Sequence, residues 1–174
     1  MTIPAIPTPI ASGTKAGVST WLNSLRDVVA FLFTTTPRAR VSYAGQSIPS
    51  GAVTLLSLAG STTVHDIPGT MVDAPSSSIT IRRRGWYRIT THAAWNGNTT
   101  GYRSLQVWRG ASAIEEVGIQ TPASAVVAHT AATLGPILCE VGDKFTLRVY
   151  QTSGTALSTA GGTYLAVSWD SIDA

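Results

Sequence analysis

Charge is scarce in this chain: only 12% of its 174 residues are Asp, Glu, Lys or Arg, about half the share of an ordinary soluble domain. So little polar surface implies that apolar surface is covered by another chain as well as by the core. Lysine is nearly absent. Lys15 and Lys144 stand alone among 12 basic residues, and the net charge is +3. Arginine can mark bidentate recognition or GC-rich codon usage, and the scatter of these arginines fits the latter. The charge gives no ground for a nucleic-acid partner. Cys139 is the single cysteine, which excludes an intrachain disulfide. It follows "GPIL" in an expected strand and reads as a small core residue rather than a nucleophile. Long hydrophobic runs are missing too. "VVAFLF" is far too short to span a bilayer and residues 1–14 carry no basic residue, so neither a membrane partner nor a secretory signal is expected.

What is present falls into three parts. Residues 1–14, "MTIPAIPTPIASGT", hold three prolines and no charge. Proline at that density disfavours helix and central strand, so an extended arm is expected. It either stays disordered or docks on a partner through Ile3, Ile6 and Ile10. Thr14 is a candidate N-cap for a helix over 15–34, stopped by "TTTP". Val18, Leu22, Leu25, Val29 and Leu32 recur at spacings of 4, 3, 4 and 3, a heptad seam widened by Trp21, Val28 and Phe31. The seam either covers one face of the chain's own β domain or joins copies of the helix, and a three-fold bundle uses more of the stripe.

From Ala39 onward the apolar period becomes two, which predicts a β domain over 39–174. "RVSYAG", "AVTLLSL" (52–58), "SITI" (78–81), "GWYRITTHAAW" (85–95), "YRSLQVWRG", "AIEEVGI", "AVVAHTAATLG", "KFTLRVYQ" (144–151) and "TYLAVSWDS" (163–171) read as strands. "NGNTTG" reads as a hairpin turn. Eight or more short strands at this spacing predict an antiparallel sandwich or barrel.

Three of these segments resemble the C1q/TNF-like jelly roll. "ITIRRRGWYRITTHAAW" is similar to its strand pair with a Gly and a Tyr opening a long central strand. "SLQVWRGASAIEEV" is similar to the strand and hairpin that follow. "ILCEVGDKFTLRVYQTSG" is similar to its segment with Leu138, Gly142 and Asp143 before the alternating Phe145, Leu147 and Val149. "TYLAVSWDSI" would be the closing strand. The resemblance spans about 39–172 and implies a mainly β fold: an antiparallel jelly-roll sandwich preceded by one N-terminal α-helix. Ser19, Asn23, Arg26, Asp27, Phe31 and Leu32, followed by Pro37, resemble the opening of small tail and head-fibre proteins of phages that infect actinobacteria, and Arg-rich usage suits such a host. That second resemblance implies a homotrimer with a β head. Jelly rolls of this class pack as three-fold bells, so a heptad seam upstream would continue the same axis.

Residues that could carry chemistry are few. His65, His92 and His129 are far apart in sequence and have no ligand spacing with Cys, Asp or Glu, so no metal is assigned. A trimer could place three copies of one histidine on its axis as an ion site; an ordinary core or surface imidazole is the plainer account. No nucleophile-elbow, zincin, Walker or dinucleotide pattern occurs. Glu115 and Glu116, adjacent in an expected strand, point to opposite faces. "HDIPG" (65–69) reads as a turn. Arg82, Arg83 and Arg84 form the one dense charge cluster, either an anion contact or a solvated hairpin end with a counter-charge nearby. Trp86, Trp95, Trp108, Tyr102 and Tyr150 could stack on sugars, though at least three are expected in core or seam.

The sequence therefore predicts a non-enzymatic structural protein of a bacteriophage virion, with no catalytic residue and no cofactor. It would be made in the host cytoplasm and carried on the particle surface as a homotrimeric fibre, decoration or minor tail protein. Its partners would be itself and, through the arm, other capsid or tail proteins. A host-surface glycan is the candidate ligand of the alternative, a receptor-binding adhesion module on the tail tip.

Overall fold

The computed structural model describes residues 15–31, 36–114 and 119–171. The chain divides into two units, Met1–Thr36 and Pro37–Ala174. The expected arm, with Ile3, Ile6 and Ile10, lies outside the described residues, as do Thr14, Leu32, Glu115 and Glu116.

In the first unit, α1 spans Lys15–Ala30, and Phe31 follows in a wider turn. The Thr36 hydroxyl donates to the Phe31 carbonyl at 3.0 Å, satisfying a carbonyl that the helix end leaves open. Neither an acidic first turn nor a basic last turn supports the helix dipole. Its stability must come from packing of its apolar stripe.

The second unit is a sandwich of antiparallel strands. They are β1 (Arg38–Ser42), β2 (Ser47–Ile48), β3 (Thr54–Leu55), β4 (Thr62–Ile67), β5 (Val72–Asp73), β6 (Ser78–Thr80), β7 (Gly85–Trp95), β8 (Asn98–Arg109), β9 (Ser112–Ala113), β10 (Ile119–Ser124), β11 (Ala128–Cys139), β12 (Lys144–Gln151), β13 (Leu157–Ser158) and β14 (Tyr164–Ser171). One sheet has five strands in the order β11-β7-β14-β1-β4. The second has seven: β10-β8-β12-β6-β5, with β3 added on β12 and β9 on β8. Strands β2 and β13 form a small ribbon of their own. The period-two segments supply the core. Tyr87, Ile89 and Trp95 from β7 meet Phe145, Leu147 and Val149 from β12, and Leu105 and Val107 from β8, in one buried cluster.

Four expectations change. "NGNTTG" is no hairpin, because β7 belongs to the five-stranded sheet and β8 to the seven-stranded one. Asn96 and Gly97 carry the chain across the sandwich edge, and the Asn96 amide donates to the Ser158 carbonyl at 3.0 Å. A Cβ on Gly97 would sit 2.2 Å from the Ala125 carbonyl oxygen, so only glycine allows that approach. "HDIPG" is not a turn at its start, since His65, Asp66 and Ile67 complete β4. The turn begins at Pro68, and the Asp66 carboxylate accepts the Met71 and Val72 amides, each at 3.0 Å. "AVTLLSL" is a strand only at Thr54–Leu55, with the Leu56 amide still donating to the Leu147 carbonyl at 2.9 Å. Beyond it the Gln46 side chain replaces a strand partner, accepting the Ser57 amide and donating to the Ser57 carbonyl, both at 2.8 Å. "AVVAHTAATLG" begins its strand only at Ala128 and runs on through "PILC" to Cys139.

Candidate functional site

Because Val41, Ile89, Leu165 and Val167 turn inward from β1, β7 and β14, the alternate residues of those strands form the outer face of the five-stranded sheet. Register then assembles a row that no sequence spacing reveals. His92 on β7 lies opposite Ala131 on β11 and Tyr164 on β14. Arg40 on β1 lies opposite Ala166 on β14 and His65 on β4. His129 on β11 is one diagonal step from His92, because its own partner is Ala94. All three histidines, Tyr164 and Arg40 thus occupy one sheet face, one residue per strand.

His129, His92, Tyr164 and Arg40 are in successive ring contact. The His92 and His129 rings stack at 5.1 Å between centroids, 27° apart. His92 and Tyr164 stack at 5.8 Å and 19°. The Arg40 guanidinium lies 4.1 Å over the Tyr164 ring, a cation–π arrangement, while its buried Nε has no hydrogen-bond partner among the described residues. His92 Nδ1 is 2.8 Å from the Gly162 carbonyl oxygen. A carbonyl only accepts, so Nδ1 carries the hydrogen and Nε2 of the neutral ring is the acceptor. That Nε2 is 3.1 Å from His129 Nδ1. At the far end of the row, burial first, then Arg38 and Arg40, hold His65 below the ordinary imidazole pKa.

A second feature lies on the outer face of the seven-stranded sheet. The Arg148 guanidinium is 3.8 Å over the Trp108 ring, and Trp108 Nε1 donates to Gln106 Oε1 at 3.0 Å. Tyr102 and Tyr150 meet at 5.6 Å between ring centroids. Of the five aromatics singled out as sugar-stacking candidates, Trp95 is fully buried in the core.

The arginine run at 82–84 fans out. Arg82 Nε donates to the Thr70 carbonyl at 2.7 Å, Arg83 lies 5.4 Å over the Trp169 ring, and Arg84 pairs with Glu140 at 2.8 Å. Glu140 is thus one nearby counter-charge. In α1, the seam residues Leu22, Leu25 and Val29 are exposed; Val18 lies within the helix.

Cys139 is buried, and burial pushes its thiol up to about 11, the chemistry of an inert core residue. Among the described residues no three His, Cys, Asp or Glu side chains converge as a metal centre, and no described helix is long and apolar enough to cross a membrane.

The two antiparallel sheets and their strand order define a jelly roll of the TNF/C1q-like class. Among solved structures, PRD1 vertex protein P5 is similar at a TM-score of 0.51 and 22% identity, over 78% of this chain and 99% of that one. Murine APRIL is similar at 0.51 and 14%, over 76% and 98%. Eiger TNF from S. frugiperda is similar at 0.52 and 8%, over 80% and 96%. No protein-family profile matches the sequence, and no curated protein does.

Proposed function

We propose that the chain is a structural protein of a bacteriophage virion, a homotrimer that displays its jelly roll on the particle surface and is anchored by its N-terminal part. The observation that carries this reading is the stripe Leu22, Leu25 and Val29, exposed in the single chain at heptad spacing. An isolated short helix gains nothing from such a stripe unless other apolar surface covers it, and the heptad spacing suits copies of the same helix. The likeness of fold to a phage vertex protein supports the virion setting.

Light scattering on the full chain tests the assembly. Three times the 18.2 kDa chain mass at micromolar concentration is expected, and a monomer mass refutes it. The anchor is tested separately by deleting residues 1–14. The truncated protein should still assemble, but a phage lacking its own copy should fail to incorporate it. Normal incorporation would move the anchor to the helix or the base of the head.

A second reading, a glycan-binding adhesion head, is favoured by the Trp108–Arg148–Gln106 group and the Tyr102–Tyr150 pair. Aromatic faces beside planar polar groups suit sugar rings. Binding of the purified protein to intact host cells, lost in Trp108→Ala, separates adhesion from decoration.

A further inference from the structure

The imidazole pair at the β11–β7 end of the row has the chemistry of a chelating site. We infer that His92 Nε2 and His129 Nδ1 bind one borderline divalent transition-metal ion, zinc or nickel, on the outer face of the five-stranded sheet. The proposal does not rest on the trimer.

Three observations carry it. First, the two nitrogens are 3.1 Å apart. With metal–nitrogen bonds of about 2.0–2.1 Å, that separation corresponds to an angle at the metal of about 100°, between octahedral and tetrahedral values. Second, His92 is already held as a metal-ligating histidine is held. Its Nδ1–H donates to the Gly162 carbonyl at 2.8 Å, which fixes the tautomer and leaves the Nε2 lone pair facing His129 Nδ1, 3.1 Å away. Third, stacking between Tyr164 at 5.8 Å and His129 at 5.1 Å restrains the His92 ring, while His129 itself is exposed, so an ion can reach the pair from solvent.

In the neutral pair the hydrogen between the rings belongs to His129 Nδ1, because His92 Nε2 is the acceptor. Coordination moves that hydrogen through solvent to His129 Nε2, so two neutral imidazoles bind without net proton release. With only two protein ligands, water fills the remaining positions. Imidazole selects zinc, nickel and copper over magnesium and calcium.

Calorimetric titration of the full chain with zinc chloride and with nickel chloride is the test. One site per chain is expected for each, and none for magnesium chloride. His92→Gln and His129→Gln should each weaken zinc binding roughly tenfold or more, the scale on which changes around a metal site act. His65→Gln, at the other end of the same face, should bind as wild type does. Unchanged melting of each variant shows that the fold is intact. A nitrogen-detected NMR spectrum adds a readout independent of affinity: zinc should shift His92 Nε2 and leave its Nδ1–H in place. Absence of zinc binding, equal binding in both pair variants, or equal loss in His65→Gln would overturn the assignment.

Discussion

Leu25→Asp tests the helix seam most directly. Leu22, Leu25 and Val29 leave 52%, 39% and 44% of their surface exposed in the single chain. Full burial of such a side chain contributes about 1.5–3 kcal/mol, so covering what remains exposed on these three contributes about 2–4 kcal/mol per chain. Aspartate at position 25 removes the Leu25 share and places a carboxylate in a desolvated seam, a combined cost of about 2–5 kcal/mol per chain. Three chains multiply the effect: even the lower figure amounts to roughly a ten-thousandfold loss in the trimer association constant. The folded head should be indifferent, since the residue lies in the other unit of the chain. Sedimentation of wild type and variant across a concentration series, with thermal melting of each, is the assay. The variant should dissociate at concentrations where wild type is trimeric, with its β signal intact. Equal assembly of the two proteins would show that this stripe does not join chains.

Three further outcomes are expected. Gly101→Ala should lower stability by about 1–3 kcal/mol, read by urea unfolding, because glycine there adopts a φ of +70° and a Cβ would lie 2.1 Å from the Thr152 carbonyl oxygen; wild-type stability would refute that contact. Cys139 should react slowly with a thiol reagent at pH 8 in the native protein and rapidly in denaturant, because a thiol raised to about 11 holds almost no thiolate at that pH; fast native labelling would contradict its burial. His65 should titrate by NMR below the ordinary imidazole value, and Arg38→Gln should move its midpoint upward, since Arg38 is one of the charges that lower it. The folded pKa is depressed, so the unfolded chain binds the proton more readily. The His65 contribution is whole above the unfolded value near 6.5 and erodes as pH falls below it. Unchanged titration in Arg38→Gln would refute the coupling.

Local pattern alone determined an antiparallel sandwich or barrel, and the resemblance of particular segments narrowed it to a jelly roll. The alternation of Tyr87, Ile89, Thr91, Ala93 and Trp95 against Trp86, Arg88, Thr90, His92 and Ala94 needs one buried face and one open face, and β7 uses it that way up to His92, whereas Ala94 is buried as well. "KFTLRVYQ" matched β12 residue for residue. The burial of Cys139 was also legible, because a small apolar side chain in a strand has nowhere better to go. Strands held by side chains rather than by alternation were not legible: β4 carries polar residues at successive positions, and the stretch after β3 is paired by the Gln46 amide. Whether Asn96–Gly97 closes a hairpin or crosses to the other sheet depends on which strand each neighbour joins, and that is settled by core packing far along the chain. The histidine row is the clearest case. His65, His92 and His129 are separated by 27 and 37 positions, and only the registers of β4, β1, β14, β7 and β11 bring them onto one face. Hydrogen bonding across strands sets those registers, and no property of the residues flanking each histidine encodes it.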